Sequence, residues 1–183
     1  MKLSFPLFTL MILLFISCNT PVNEPTVKNT SASHAIEDDA IKKAVADAYK
    51  CISFKQGEQL NFDSIKTYFM PQAQFFDFRN DTLEVLTIDE FVNTYKAFIK
   101  SNGINSFYEE EIQGATDQFG RVAQRISTYK TYINAMNSAA QRGVNSFQLI
   151  KTSQGWKVSS IIWDVESQEL KIPDYYLNTD SAH

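Results

Sequence analysis

The chain has 183 residues, 17 basic against 21 acidic side chains, a net charge of −4 with histidine neutral, and 44% hydrophobic residues. That mildly acidic balance, with no basic stripe, argues against a nucleic-acid partner. Its two cysteines are Cys18 and Cys51, and its two histidines, His34 and His183, lie near the ends. If Cys18 is spent as an anchor, Cys51 has no partner for an internal disulfide, and its place on a helix reads as a buried structural thiol.

The N-terminus is Met1-Lys2, an apolar run over Leu3–Ile16, then Ser17-Cys18. One positive charge, a short hydrophobic stretch and a small residue before the break form a secretory signal. The run falls short of the ~20 residues of a membrane span. It resembles a bacterial lipoprotein signal, cleaved before Cys18, which is then acylated, although Phe15 stands where that pattern prefers Leu. The resemblance implies lipidation at Cys18 and stable anchoring by two or more acyl chains. Residues 1–17 are then the signal, 18–36 the acylated Cys and a flexible linker, 37–167 the folded domain and 168–183 a tail. Asn19–Ala35 is rich in Asn, Thr, Ser and Pro without an apolar period, so it does not bury enough surface to fold, and His34 within it is expected to be solvated. The expected address is the cell envelope of a Gram-negative-type bacterium, periplasm-facing, with the membrane touched through the lipid alone.

The first helix is expected over Asp38–Phe54, where Ile41, Ala44, Val45, Ala48, Tyr49 and Ile52 form one stripe. Glu37, Asp38 and Asp39 would sit at its start, favoured by the helix dipole. A second helix, Phe62–Met70, has Asn61 as N-cap and Pro71 as its stop. Gln74–Phe78 reads as a strand leading to a turn at Arg79-Asn80-Asp81, with a short strand at Leu83–Leu86. Thr87 and Glu90 form a capping box ahead of a third helix whose stripe is Phe91, Val92, Tyr95, Phe98 and Ile99, closed by Asn102-Gly103. Two strands, Ser106–Thr116 and Arg121–Ile133, flank a turn at Asp117–Gly120. After a polar loop, Asn134–Arg142, comes a long hairpin over Gly143–Glu166 that turns at Thr152-Ser153-Gln154-Gly155. Tyr175 and Tyr176 belong to a tail expected to pack loosely. Helices first and antiparallel strands after predict an α+β fold with helices on one face of a curved sheet.

With these elements in place, the chain resembles the NTF2-like superfamily, including the SnoaL-like and ketosteroid-isomerase-like proteins. The resemblance rests on the order of elements and on three stretches: Tyr49 through Pro71 to Asp77, the capped helix Thr87–Lys100, and Gly155-Trp156-Lys157-Val158 through Trp163. It implies a cone in which three helices of the N-terminal half pack on a curved, mainly antiparallel sheet around a pocket. It also implies a homodimer formed through the outer sheet face.

The ketosteroid-isomerase pattern sets a tyrosine on the first helix, an aspartate base after the first strand and a neutral acid on the penultimate strand. Tyr49 matches the tyrosine and Asp77 the base, but the acid position falls on Ser146, a weaker donor, so the oxyanion site is incomplete. The same superposition places Gln124, Ile126 and Thr128 in the pocket from one strand, and Val144, Ser146 and Gln148 from the next. Ser159, Ile161 and Trp163 would line it from the last. Such a wall suits a neutral or weakly polar small molecule and implies no cofactor. Glu109-Glu110-Glu111 is a metal-like run, but alternation turns Glu110 away and no histidine lies in the domain, which argues against zinc or iron. The sequence therefore predicts a domain that binds a small, partly apolar ligand or a protein partner. The alternatives are an isomerase-type enzyme with Asp77 as base and Tyr49 as hydrogen-bond donor, and a purely structural module whose cone is filled by its own side chains.

Overall fold

A computed structural model describes residues 30–78, 82–135 and 139–178, with side chains from Glu37 onward. Cys18, the side chain of His34, His183 and the expected turn Arg79-Asn80-Asp81 lie outside the described residues. Helix α1 spans Thr30–Ile52. It begins eight residues before the expected Asp38, because no proline or glycine interrupts Thr30–Glu37 and Ala32 and Ala35 favour helix. Glu37 and Asp38 consequently lie inside the helix, not at its positive end. Glu37 instead reaches across the fold, accepting a 2.9 Å hydrogen bond from Trp156 Nε1 and pairing with Lys151. The apolar stripe is buried as its spacing dictates, with Ile41 and Val45 at 0% and 1% exposure.

Helix α2, Phe62–Ile65, is short and passes into a 3₁₀ turn at Lys66–Tyr68. Asn61 caps it, its Oδ1 accepting from Asp63 N and Ser64 N at 3.1 and 3.3 Å. It stops before the expected Met70 because strand β1, Phe69–Asp77, starts there. Pro71 lies inside that strand, within the stretch where the pairing of β1 with the last strand shifts register between Phe69 and Gln74; a residue without an N–H fits such an irregularity. Strand β2, Glu84–Thr87, leads into α3, Ile88–Ser101, through the predicted capping box: Thr87 N donates to Glu90 Oε2 at 2.8 Å and Glu90 N to Thr87 Oγ1 at 3.3 Å.

Four long strands follow: β3, Phe107–Phe119; β4, Val122–Ile133; β5, Gln141–Thr152; and β6, Gly155–Val165. The six described strands form one sheet in the order β2-β1-β6-β5-β4-β3. Only β1 and β6 pair in parallel; the other neighbours are antiparallel. The β3–β4 turn is tighter than expected, since Asp117 and Gln118 stay paired with Gln124 and Ala123. Gly155, at φ +100°, turns the last hairpin. Irregularities at Ile112, between the paired Glu111 and Gln113, and at Ser159, between the paired Val158 and Ser160, bend the sheet around α1 and α3.

The tail is docked, contrary to the sequence expectation. Thr128 Oγ1 donates to the Tyr176 carbonyl at 2.6 Å, and Ile172 is only 9% exposed. Thr128 sits on the outer face of β4, yet it is 1% exposed beneath that tail.

Candidate functional site

A cavity of about 130 Å³ opens between the sheet and helices α1 and α3. Alternation decides which strand residues reach it. From β3 come Phe107 and Glu109, from β4 Tyr129, Thr131 and Ile133, from β5 Gln141, Asn145 and Phe147, and from β6 Ile161 and Trp163. Phe75 on β1 and Leu86 on β2 face each other in register and continue the wall. Helix α3 adds Phe91, Thr94, Tyr95 and Phe98 at helical spacing, and α1 adds Ala48, Tyr49 and Ile52.

The aromatic wall is ordered by its own contacts. Phe75 and Phe91 stack at 4.3 Å, and Tyr95 meets Phe107 edge-on at 5.4 Å. The Tyr95 hydroxyl donates to the Ile52 carbonyl. Burial, helped by the Glu109 charge, pushes its pKa above the ordinary phenol value. Gly143 on β5 is required by this wall, because a Cβ there would lie 2.5 Å from the Tyr129 hydroxyl and 2.4 Å from the Asp164 carbonyl.

Polar groups enter at two levels. Glu109 faces the cavity and accepts a 2.7 Å hydrogen bond from Thr131 Oγ1, its register partner on β4. Farther along the inward face of β4, Arg125 is 3% exposed, and its Nε and Nη2 hold Glu111 at 2.9 and 2.5 Å. Arg125 Nη1 donates to Thr116 Oγ1 at 2.6 Å. The acidic run is thereby divided: Glu109 to Thr131, Glu111 to Arg125, and Glu110 accepting from Tyr108 at 3.2 Å. Among the described residues no group of three metal-ligating side chains converges.

Of the residues expected in the pocket, Tyr49, Ile161 and Trp163 line the cavity. Gln124, Ile126, Thr128, Val144, Ser146 and Gln148 do not; they occupy the opposite face of β4 and β5, one residue out of phase with Tyr129, Thr131, Asn145 and Phe147. A shift of one residue exchanges the faces of a strand, and both faces here carry similar mixtures of apolar and polar groups. Ser159 is the bulged residue of β6, its Oγ donating to the Gln148 carbonyl at 3.0 Å. Asp77 is 3% exposed, on the same side of β1 as Phe75 and in register with Trp163, but outside the cavity lining.

The Tyr49 hydroxyl is occupied by the protein itself. It lies 2.7 Å from Ser127 Oγ and accepts from Asn145 Nδ2 at 2.9 Å. Desolvation, with a contribution from the Glu109 charge, raises its pKa well above the ordinary phenol value. Tyr49 and Asp77 therefore do not meet as a donor–base pair in one open space. Cys51 is buried, its Sγ directed at the Ala48 carbonyl at 3.0 Å, and desolvation raises its pKa to about 12, so it is a packed thiol and not a nucleophile.

A helix-lined cavity on the concave side of a bent six-stranded sheet is the NTF2-like, or cystatin-like, architecture. The chain is similar in structure to a cystatin-like protein of unknown function from Nostoc punctiforme (TM-score 0.60, 10% identity, 73% of this chain and 94% of that one). It is similar to a proposed dehydratase of the NTF2-like family from Streptomyces avermitilis (TM-score 0.56, 14% identity, 72% and 97%). It is similar also to a proposed scytalone dehydratase from Novosphingobium aromaticivorans (TM-score 0.57, 10% identity, 74% and 88%). At such identities the likeness is one of fold. No family model and no curated protein sequence matches the chain.

Proposed function

We propose that this protein is a lipid-anchored envelope protein whose NTF2-like domain holds a small, partly apolar ligand inside the cone. The observation that carries this reading is the cavity, about 130 Å³ and walled by Phe75, Phe91, Phe107 and Trp163. Its size is close to that of an engineered cavity of ~150 Å³ that accepts benzene, which sets the ligand at about one ring. A binding role needs the cavity alone. Catalysis by Asp77 and Tyr49 would need both to reach it, and only Tyr49 does, with its hydroxyl already bonded.

Two tests apply. Titrating single-ring compounds such as benzyl alcohol should quench or shift tryptophan emission saturably through Trp163, and filling the space with Phe91→Trp should abolish the response. A flat titration across a set of one-ring compounds would overturn the binding reading. The anchor rests on the Ser17-Cys18 break, and a radiolabelled fatty acid should be incorporated by the wild type and not by Cys18→Ala. Two copies would pair through the outer sheet face, where Val122, Ile150 and Ile162 remain exposed beside the docked tail; sedimentation of Ile162→Lys against the wild type tests this.

A further inference from the structure

The outer face of the sheet ends in an exposed apolar row. Phe119 on β3 lies opposite Val122 on β4, Val122 opposite Ile150 on β5, and Ile150 opposite Lys157 on β6. Phe119 is 88% exposed, Val122 57% and Ile150 38%. The next row along the strands, Asp117, Gln124, Gln148 and Ser160, is wholly polar, which confines this apolar surface to the end of the sheet. Gly120, at φ +57°, closes β3 onto β4 in a two-residue turn and holds Phe119 beside Val122 at the tip. The exposed Arg121 completes the turn, and Lys157 ends the row. A ring so exposed buries little within the domain, and its apolar neighbours make a patch of it.

Helix α1 starts at this same end. Glu37 meets Trp156 and Lys151 beside the last hairpin turn, whereas Ser53, just past the helix, accepts from Glu109 N, and Phe54 pairs with Phe107. The helix therefore runs from the Phe119 end of the sheet to the Phe107 end. Thr30 lies about two turns before Glu37, ~10 Å further out at 1.5 Å per residue. From Thr30 back to Cys18 the chain reaches at most about 40 Å, at ~3.3–3.6 Å per residue. A bilayer holding an acylated Cys18 is thus within reach of the Phe119 end, and the Phe107 end stands a strand's length farther away. Aromatic and aliphatic side chains flanked by Arg and Lys suit the boundary between acyl chains and anionic headgroups.

We propose that the β3–β4 hairpin tip is a second membrane contact. Phe119 and Val122, with Ile150 behind them, enter the headgroup boundary of the bilayer that carries Cys18, and Arg121 meets lipid phosphate. The inference rests on the anchor proposed above and adds a protein contact to the acyl one expected from the sequence. Its effect is orientation. Phe107, Ile133 and Gln141 line the cavity at the opposite end of the sheet, so the seated domain presents its cavity away from the lipid. Ile162, beyond the polar row, stays available for the pairing of two copies.

The test uses the chain as the cell processes it, reconstituted in vesicles of phosphatidylethanolamine and phosphatidylglycerol with bromine on the upper acyl carbons. Flotation reports the anchor. Tryptophan emission reports the tip, once the signal of the buried Trp156 and Trp163 is subtracted. Phe119→Trp should lose about half or more of its added emission relative to unbrominated lipid, and Tyr108→Trp, at the far end of β3, almost none. Val122→Asp combined with Phe119→Trp should reduce that quenching about twofold or more. Flotation without quenching at either position would overturn the tip contact and leave the anchor standing. Equal quenching at both ends, or quenching indifferent to Val122→Asp, would overturn the contact through this row. Emission shifted to the blue but untouched by bromine would put a second copy on the row and overturn the lipid contact. A chain that does not float would overturn both readings.

Discussion

Tyr49 shows how far a residue's type can mislead about its task. Its ring packs edge-on against Phe147 at 5.6 Å, and its hydroxyl bridges Ser127 and Asn145, so it ties α1 to β4 and β5. Tyr49→Phe is expected to cost about 1–2 kcal/mol in urea denaturation, because the Asn145 amide loses a buried acceptor. The same substitution should change one-ring ligand affinity by less than about threefold, since the lost group served the protein. The buried Arg125–Glu111 pair sets a larger effect. Glu111→Ala leaves a guanidinium that is 3% exposed without its carboxylate and should destabilise by about 3 kcal/mol or more. By contrast, the exposed Lys42–Asp38 pair contributes well under about 1 kcal/mol. Tyr49 and Trp163 are legible as cavity residues because aromatic positions on α1 and β6 have one plausible direction. Glu109 is not, because its place in the cavity wall depends on which face of β3 the assembled sheet turns inward, which a run of three glutamates does not reveal.

At the level of elements, helices and strands differ in what local sequence can specify. Helix α3 carries its own boundaries, a capping box at Thr87 and Glu90 and a closing Asn102, and it forms where the spacing predicts. The strands are equally evident, and so is their antiparallel succession. Which face of β4 and β5 turns inward is a property of the assembled sheet, and a similar mixture on both sides hides it: Ile126 and Val144 outside are as apolar as much of what lies within. The bulges at Ile112 and Ser159 make this harder, since each resets the alternation midway along a strand. One local clue does mark the inner face. Gly143 lies opposite Tyr129 in the ladder, a glycine that leaves room for a ring to cross it. Gly143→Ala should displace Tyr129, lower the melting temperature by several degrees, about 1–3 kcal/mol, and weaken ligand binding with it. An unchanged melting temperature would show that the ring has another place to lie.

Across the whole molecule, stability has an acid limit set by carboxylates that join distant segments. Glu37 is held below the ordinary carboxylate value by hydrogen bonds from Lys151 and Trp156. Glu90 is held there by the Thr87 backbone and hydroxyl, and Glu166 by Arg142. In the unfolded chain these groups regain their usual affinity near pH ~4.3, so the unfolded state takes up protons first on acidification. The stabilisation is complete at neutral pH and is lost as pH falls from about 4.5 through the lower folded-state values. Melting temperatures between pH 7 and pH 3 should be flat above about pH 5 and fall below it; a maximum near pH 4 would contradict this assignment.

The parallel union of β1 with β6 also orders events in time. Strands β3 to β6 can assemble by successive hairpins, each closing on a near neighbour in sequence. Strand β1 has β2 on one side only, and its other edge waits for Ser160, Ile161 and Ile162, almost the last part of the domain to be synthesised. Closing such a long loop is the slow step for chains dominated by distant contacts. Until then the inward row of Phe69, Ala73 and Phe75 has no finished sheet to join. A growing chain thus stays open until its last strand appears.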